Sequence, residues 1–303
     1  MSARPRYNLK RLQSGQALLI VLLSMAVILT IVLSVLSSTT SDVSVTSKEE
    51  EAQRAFSAAE AGIEQALLSG TATGSTQLGQ SNFALSVSTV SENSKIFEYP
   101  QAILSGDVAT TWFVAHDDNG NLVCSESKPC FKGDRVKVCW GKVGSSASDA
   151  QAPAIEATIL YLSTPGNLST AKIAREAIDP YSSRISTNKF SQAVNSNCTI
   201  GSTTYAFQKT LIFSDLGIPS SSYNEENGLQ YMGLKFLYNS VTAHSIGVDV
   251  NFSGSTALPS QGSKIDSVGK AGESTRKIEV YNLYRSMPPV FNNSIFSYGG
   301  ISQ

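Results

Sequence analysis

From Leu12 to Ser41 the chain carries no Asp, Glu, Lys or Arg. Within that stretch Gln16 to Leu36 (QALLIVLLSMAVILTIVLSVL) is 21 residues of mostly Leu, Ile, Val and Ala. A helix of about 20 such residues crosses the hydrocarbon core of a bilayer, with every backbone group bonded inside the segment. The segment excludes a cytosolic soluble protein and predicts a span over residues 16–37, embedded in lipid. Arg4, Arg6, Lys10 and Arg11 put four positive charges in front of it with no acid among them. Basic flanks stay in the cytoplasm, so everything from Asp42 onward is predicted outside. A cleaved secretory signal is the alternative, with Val35-Leu36-Ser37 as its cut site. Such signals have an apolar core of about 7–15 residues, and this one is longer.

The chain is 303 residues long, enough for a sizeable core, and has a net charge of −1. Removing the four leading cations from 23 basic residues leaves 19 against 24 acidic ones, a balance of −5 for the rest. Phosphate steering is not expected of that charge, so no nucleic-acid partner is predicted. Only 16% of residues are charged, and Ser, Thr, Asn and Gly take their place. The four cysteines, Cys124, Cys130, Cys139 and Cys198, all fall on the predicted outside. An even number there reads as disulfides, with three possible connectivities. Their spacings of five, eight and 58 intervening residues contain no C-x-x-C, and only His116 and His244 could assist a zinc site.

Ser14-Gly15-Gln16 joins a short basic leader directly to the apolar helix. Farther on, Lys48 to Ser69 reads KEEEAQRAFSAAEAGIEQALLS. Its Ala52, Ala55, Phe56, Ala59, Ile63, Ala66 and Leu67 recur at steps of three and four, one face of an amphipathic helix over 42–69. Glu49, Glu50 and Glu51 suit a helix N-terminus, and Gly70 suits its stop. No proline interrupts 16–69, which as one helix would run about 80 Å. Ala26, Thr30, Ser34 and Ser38 form a four-residue stripe of small side chains, predicting close approach of a partner helix in lipid. The competing reading is that the hydroxyls bond back to the preceding turn.

These features together resemble the type IV pilins and pseudopilins. There a basic leader is cut after Gly by prepilin peptidase, and the apolar helix remains as the filament spine. The run Ala55-Phe56-Ser57-Ala58-Ala59-Glu60-Ala61-Gly62 is more narrowly similar to the A-x-x-A-A-E-A-G-type segment of PilX-like minor pilins. The resemblance implies a leader over 1–15, cleavage between Gly15 and Gln16, and a spine helix over 16–69. It further implies co-assembly with other pilin subunits on the pilus assembly platform. Major pilins carry Glu at the fifth mature position, where this chain has Ile20, and usually begin with Phe or Met, where it has Gln16. Tip pseudopilins and several PilX-like subunits also lack that Glu, so the resemblance is to an initiating or tip subunit.

Residues 70–82 (Thr71 to Ser81, TATGSTQLGQS) read as a linker, and 83–303 as the exported domain. Short alternating runs follow at Phe83–Val87, Thr110–His116, Asn121–Cys124, Arg135–Trp140, Ala154–Leu162, Leu229–Tyr238, Ser245–Phe252, Lys264–Val268 and Thr275–Tyr284. Lys172–Ile178 suits either strand or helix. The fold class predicted is α+β: a long N-terminal transmembrane and amphipathic spine helix, then an antiparallel β-rich domain with long loops. Leu258 to Ser263, Gly269 to Val280 and Pro288-Pro289-Val290-Phe291 also resemble the closing hairpin and Pro-Pro segment of pilin-like proteins from small-genome bacteria. Lys270 to Gly272 is its predicted turn.

Candidate sites are few. Asp117, Asn119 and Asn121 alternate as oxygen donors for calcium, with Glu126 beyond. Asp117-Asp118-Asn119-Gly120 is equally an Asn-Gly hairpin turn, and its glycine falls at the fourth position where an EF-hand needs the sixth. Tyr223-Asn224-Glu225-Glu226-Asn227 is a second acidic loop with less geometry. His116 and His244 read as surface or half-buried structural histidines. No G-x-S-x-G and no phosphate-binding P-loop occurs, so no catalytic residue, cofactor or enzyme activity is predicted. Tyr281, Tyr284, Phe291, Phe296 and Tyr298 read as core or as a contact patch. The expected protein is a minor pilin-like subunit of the cytoplasmic membrane, its N-terminus inside and its β domain outside, reaching the cell surface in a pilus. The alternatives are a tip adhesin or DNA-capture subunit acting through the β domain, and a signal-anchored extracytoplasmic enzyme.

Overall fold

The computed structural model describes residues 14–286, and they form two compact units. The first takes the chain up to Ser86 together with Asp266–Ile278. It opens with helix α1 (Ser14–Ser69), 56 residues without a break. At 1.5 Å per residue the helix is about 84 Å long. Gly70 ends it in the left-handed conformation, its N–H donating to the Ala66 carbonyl at 2.7 Å. Because the helix is continuous, Glu49, Glu50 and Glu51 lie well inside its second half and meet no N-terminal dipole. Glu50 instead pairs with Arg54 one turn on, at 3.4 Å. The Glu51 carboxylate accepts the Glu273 N–H at 3.1 Å.

The expected linker is partly a hairpin. Strands β1 (Thr76–Leu78) and β2 (Ser81–Thr89) pair antiparallel around Gly79-Gln80, because Thr76 and Phe83 fall in register. Only 71–75 remain without regular structure. Phe83 and Leu85 are buried, while Ala84 and Ser86 are exposed, as the alternation predicts.

The second unit holds Val87–Ile265 and the chain from Glu279 on. Its strands are β3 (Ile96–Glu98), β4 (Val108–Trp112), β5 (Ala115–His116), β6 (Leu122–Val123), β7 (Arg135–Lys142) and β8 (Ala154–Leu162). They continue with β9 (Ala171–Asp179), β10 (Ser191–Gln192), β11 (Cys198–Ile200), β12 (Thr203–Ile212), β13 (Leu229–Leu237) and β14 (Ile246–Asp249). Two short helices, α2 (Ser182–Asn188) and α3 (Ser220–Asn224), interrupt them. Lys172–Ile178 is thus strand, within β9. One five-stranded sheet runs β10-β9-β8-β13-β4, and another runs β11-β12-β7-β14-β3. Pairing is antiparallel except for the two-residue match of β10 with β9.

Both sheets feed one apolar core. Ile155, Ile159, Leu234 and Phe236 of the first meet Val136, Val138, Trp140, Phe207 and Leu211 of the second. The Trp140 indole N–H is satisfied in that core by the Pro153 carbonyl at 2.8 Å. The last two strands, β15 (Gly262–Ala271) and β16 (Ser274–Leu283), follow β1 and β2 in a four-stranded sheet. Gly272, with φ +55°, turns the chain between them together with Glu273, while Lys270 and Ala271, expected in the turn, complete β15.

Candidate functional site

The spine-helix features that resemble a pilin lie on α1. The side chains from Leu18 to Leu36 are exposed along its whole circumference. This is the one helix among the described residues long and apolar enough to cross a membrane. Of the small-residue stripe, Thr30 bonds back to the Val27 carbonyl at 2.8 Å. Its hydroxyl is therefore satisfied within the helix, as the competing reading required. Ala26, Ser34 and Ser38 are exposed beside it. Gly15 and Gln16 lie on the helix backbone near its start, while most of the leader falls outside the described residues.

The second half of α1 packs through a narrower face than its periodicity predicts. Ala55, Ala58, Ala59, Gly62, Ile63 and Ala66 are buried. Phe56 and Leu67, expected on that face, are 47% and 54% exposed. The reason is the closeness of the strand end packed against it. A Cβ on Gly269 would lie 2.0 Å from the Ala55 carbonyl oxygen and 2.6 Å from the Ala59 nitrogen. A Cβ on Gly62 would lie 2.2 Å from Ser267 Oγ and 2.9 Å from the Phe83 ring. Backbone meets backbone here at Ala55 and Ala59, and Gly62 leaves room for Ser267 and Phe83, so the close seat is built of Gly and Ala. Ile63 is the one large residue buried beside it, while Phe56 and Leu67 face away. The A-x-x-A-A-E-A-G run is the helix half of this seat. Gly269, legible in the sequence only as part of a closing hairpin, and Gly272, legible only as a turn residue, are the other half.

In the second unit the cysteines pair as Cys124–Cys130 and Cys139–Cys198. Disulfides of this kind fit an oxidising, extracytoplasmic setting. The calcium candidates form the turn between β5 and β6. Asp117 Oδ1 accepts the N–H groups of Asn119 and Asn121 at 2.9 and 2.8 Å, and Oδ2 accepts the Asn121 amide at 3.0 Å. Those bonds, the Asn121 amide first, hold the Asp117 carboxyl below its usual range. The carboxylate is thereby occupied as a brace for the turn, and Asn121 presents a donor to it rather than an oxygen to a cation. In the Tyr223–Asn227 loop, Glu226 pairs with Lys132 at 3.4 Å. Among the described residues no three His, Cys, Asp or Glu side chains group as a metal site.

Both histidines are buried, where surface or half-buried positions were expected. His244 Nδ1 accepts the Lys142 N–H at 3.0 Å, so its neutral form is the one built into the fold. Burial, with Lys142 adding, pushes it below its ordinary value. The His116 ring stacks on Tyr284 at 3.9 Å between centroids, and burial lowers it too, against an opposing pull from Asp117. Tyr281 is 41% exposed and no part of the core. Phe291, Phe296, Tyr298 and Pro288-Pro289 lie outside the described residues.

The sequence offered no signal for the most enclosed charge. Asp179, fully buried at the end of β9, is gripped by both arms of the Arg184 guanidinium at 2.8 and 2.7 Å. A D-x-x-x-x-R spacing across a strand end and a short helix is too common to stand out.

The chain matches no protein-family model, no curated protein and no solved structure.

Proposed function

We propose that this chain is a membrane-anchored, pilin-class structural subunit of the minor, PilX-like kind, which co-assembles with other pilins and primes or caps a filament. The observation that carries this reading is the construction of α1. A simple membrane anchor needs only about 20 apolar residues. Here the same unbroken helix continues for some thirty residues and seats an Ala/Gly face against Gly269. That continuation rigidly couples the span to a folded unit, as a subunit assembled through its spine requires. Ile20 in place of the usual Glu supports an initiating or tip position. The orientation follows from the basic flank, and prepilin peptidase is the processing partner.

The test is the mature N-terminus, read by mass spectrometry of membrane protein from cells with and without prepilin peptidase. A chain beginning at Gln16 only when the peptidase is present is the expected result. A chain beginning at Met1 or Ser2 in both leaves a signal-anchored surface domain and overturns the proposal. A start near Ser38 indicates ordinary secretion and overturns it as well.

A further inference from the structure

Three depressions adjoin one another on the second unit, with volumes of 620, 170 and 830 Å³, and Thr89 borders all three. The stacked His116 and Tyr284 rings form a wall shared by the second and third. Trp112 borders the third, its indole edge 4.6 Å from His116 and 5.3 Å from Tyr231 between ring centroids. Tyr99, Tyr205 and Tyr281 border the first. Each of the three depressions is thus bordered by aromatic side chains, Tyr205 itself being buried.

Its frame is rigid. Buried Gln261 accepts the Trp112 N–H at 2.7 Å and donates to the Trp112 carbonyl at 2.9 Å. That clamp fixes the tryptophan without using its indole nitrogen, which is buried with no partner among the described residues, as is His116 Nδ1. Glu92 enters the groove from a loop whose Ser91 and Asn93 both hold φ of +55°. Non-glycine residues in that conformation store strain, and such strain gathers where a loop is shaped for binding.

The lining selects a chemical class. Aliphatic side chains are few, with Ile96, Leu122 and Leu283 the larger ones, so an acyl chain finds little to cover it. Four carboxylates border the groove, those of Glu92, Glu98, Asp117 and Asp118, against Lys128 and Arg285. A polyanion meets net repulsion. Three of the four are already engaged. Glu98 takes the Thr203 N–H at 3.0 Å, Asp117 braces its turn, and Asp118 pairs with Lys128 at 2.8 Å. Among the described residues a cation therefore finds only Glu92 uncommitted. What remains is aromatic faces set among hydroxyls, amides and carboxylate oxygens. Sugar rings complement that surface, with C–H faces that lie on aromatic rings and rims of hydroxyls that both donate and accept.

We propose that the groove carrying Trp112, His116 and Tyr284 is a binding site for a neutral oligosaccharide. The site is independent of filament assembly, since it lies within the second unit and would serve a tip subunit or an anchored surface protein alike.

The test uses the full chain in dodecylphosphocholine micelles, because a maltoside detergent would itself compete. Cellotetraose, maltotetraose and chitotetraose are titrated while tryptophan emission is followed, half-buried Trp112 being the reporter against fully buried Trp140. One of the three is expected to shift the emission saturably, with a dissociation constant on the order of 0.1–1 mM. Tyr284→Ser removes the stacking wall and should weaken that binding roughly tenfold, and Glu92→Gln, at an exposed position, roughly threefold. Unfolding midpoints of both variants confirm that they fold. No shift from any of the three sugars at about 10 mM, or equal affinity in the folded Tyr284→Ser variant, overturns the proposal. A response to a heparin tetrasaccharide or to a tetrapeptide, with none to the neutral sugars, overturns it in favour of that ligand class.

Discussion

Replacing Arg184 by Met should change the sign of one pH dependence. In the native protein the Asp179 carboxylate is fully enclosed, and Arg184 is 14% exposed. Two guanidinium bonds, the Tyr181 N–H at 2.8 Å and the Asn188 amide at 2.8 Å saturate the carboxylate. Arg184 further donates to the Ala150 and Ala152 carbonyls at 2.7 Å each and stacks 3.9 Å over Tyr238. One side chain therefore ties the end of β9, helix α2 and the 150–152 segment together. Methionine preserves much of the apolar stem but strands the carboxylate. Removing one partner of a buried ion pair costs about 3–5 kcal/mol, because the remaining charge is desolvated without compensation. Burial alone would raise the Asp179 carboxyl. In the native fold Arg184, the Tyr181 N–H and Asn188 outweigh it and hold the group low. Its stabilisation is then complete above the unfolded value of about 3.9 and is lost as pH falls through the folded value. In Arg184→Met burial prevails and the folded value is raised. The variant is penalised at neutral pH and relieved as pH falls, at up to about 1.4 kcal/mol per pH unit.

The assay is urea unfolding of the full chain in micelles at pH 7 and pH 4.5, followed by tryptophan emission. Trp112 and Trp140 are the only tryptophans, and both belong to the unit that holds Asp179. The gap between native and variant should be about 3–5 kcal/mol at pH 7 and narrower by more than about 1 kcal/mol at pH 4.5. A gap that is small at pH 7, or that does not change with pH, refutes the assignment of a buried, Arg-held carboxylate.

Three further outcomes are expected. Gly269→Ala should loosen the second half of α1 by about 1–3 kcal/mol or more, seen as faster amide exchange over 55–66, while Gly74→Ala, with no atom within 4 Å, should leave exchange unchanged. Removing Cys139–Cys198, which links residues 59 apart, should lower stability by about 4 kcal/mol, against about 2 kcal/mol for Cys124–Cys130 at a separation of six, both measured by denaturant unfolding. His244 is held neutral, below its ordinary value, so the unfolded chain takes up the proton first and stability falls as pH drops below about 6.5. His244→Asn should flatten the stability slope between pH 7 and 5.5.

What the sequence discloses here is whatever a short window determines. The span follows from composition alone, since 21 uncharged and mostly apolar residues in one helix are enough to cross a membrane. Ala154–Leu162 is read to the residue because its ends are marked by Pro153 and by the polar run after Leu162, and β-branched and aliphatic residues fill it. Strand β12 was missed although it is ten residues long. Its TTYAFQKTLI mixes polar and apolar residues without strict alternation, and the pairing with β7 from Arg135 to Lys142 is what makes it a strand. The disulfide partners were open for the same reason. Cys139 meets Cys198 only once β7, β12 and β11 lie side by side.

The helix face shows most clearly where periodicity stops being informative. A three-and-four repeat identifies which residues share a side, and by it Phe56 and Leu67 belong with Ala55 and Ala59. It carries no information on how near the opposing element comes. That distance is set by Gly269, more than 200 positions away, whose missing side chain lets a strand backbone reach the helix backbone at the Ala55 carbonyl. At such a separation a large apolar residue beside the contact is a steric obstacle rather than a source of burial, so the face narrows to Ala and Gly with Ile63 and turns Phe56 and Leu67 outward. The groove obeys the same logic. Trp112, His116, Gln261 and Tyr284 are spread over more than 170 residues; His116 and Tyr284 read singly as structural, core or contact residues, nothing local marks Trp112 or Gln261, and only the fold brings the clamp, the stack and the cleft into one place.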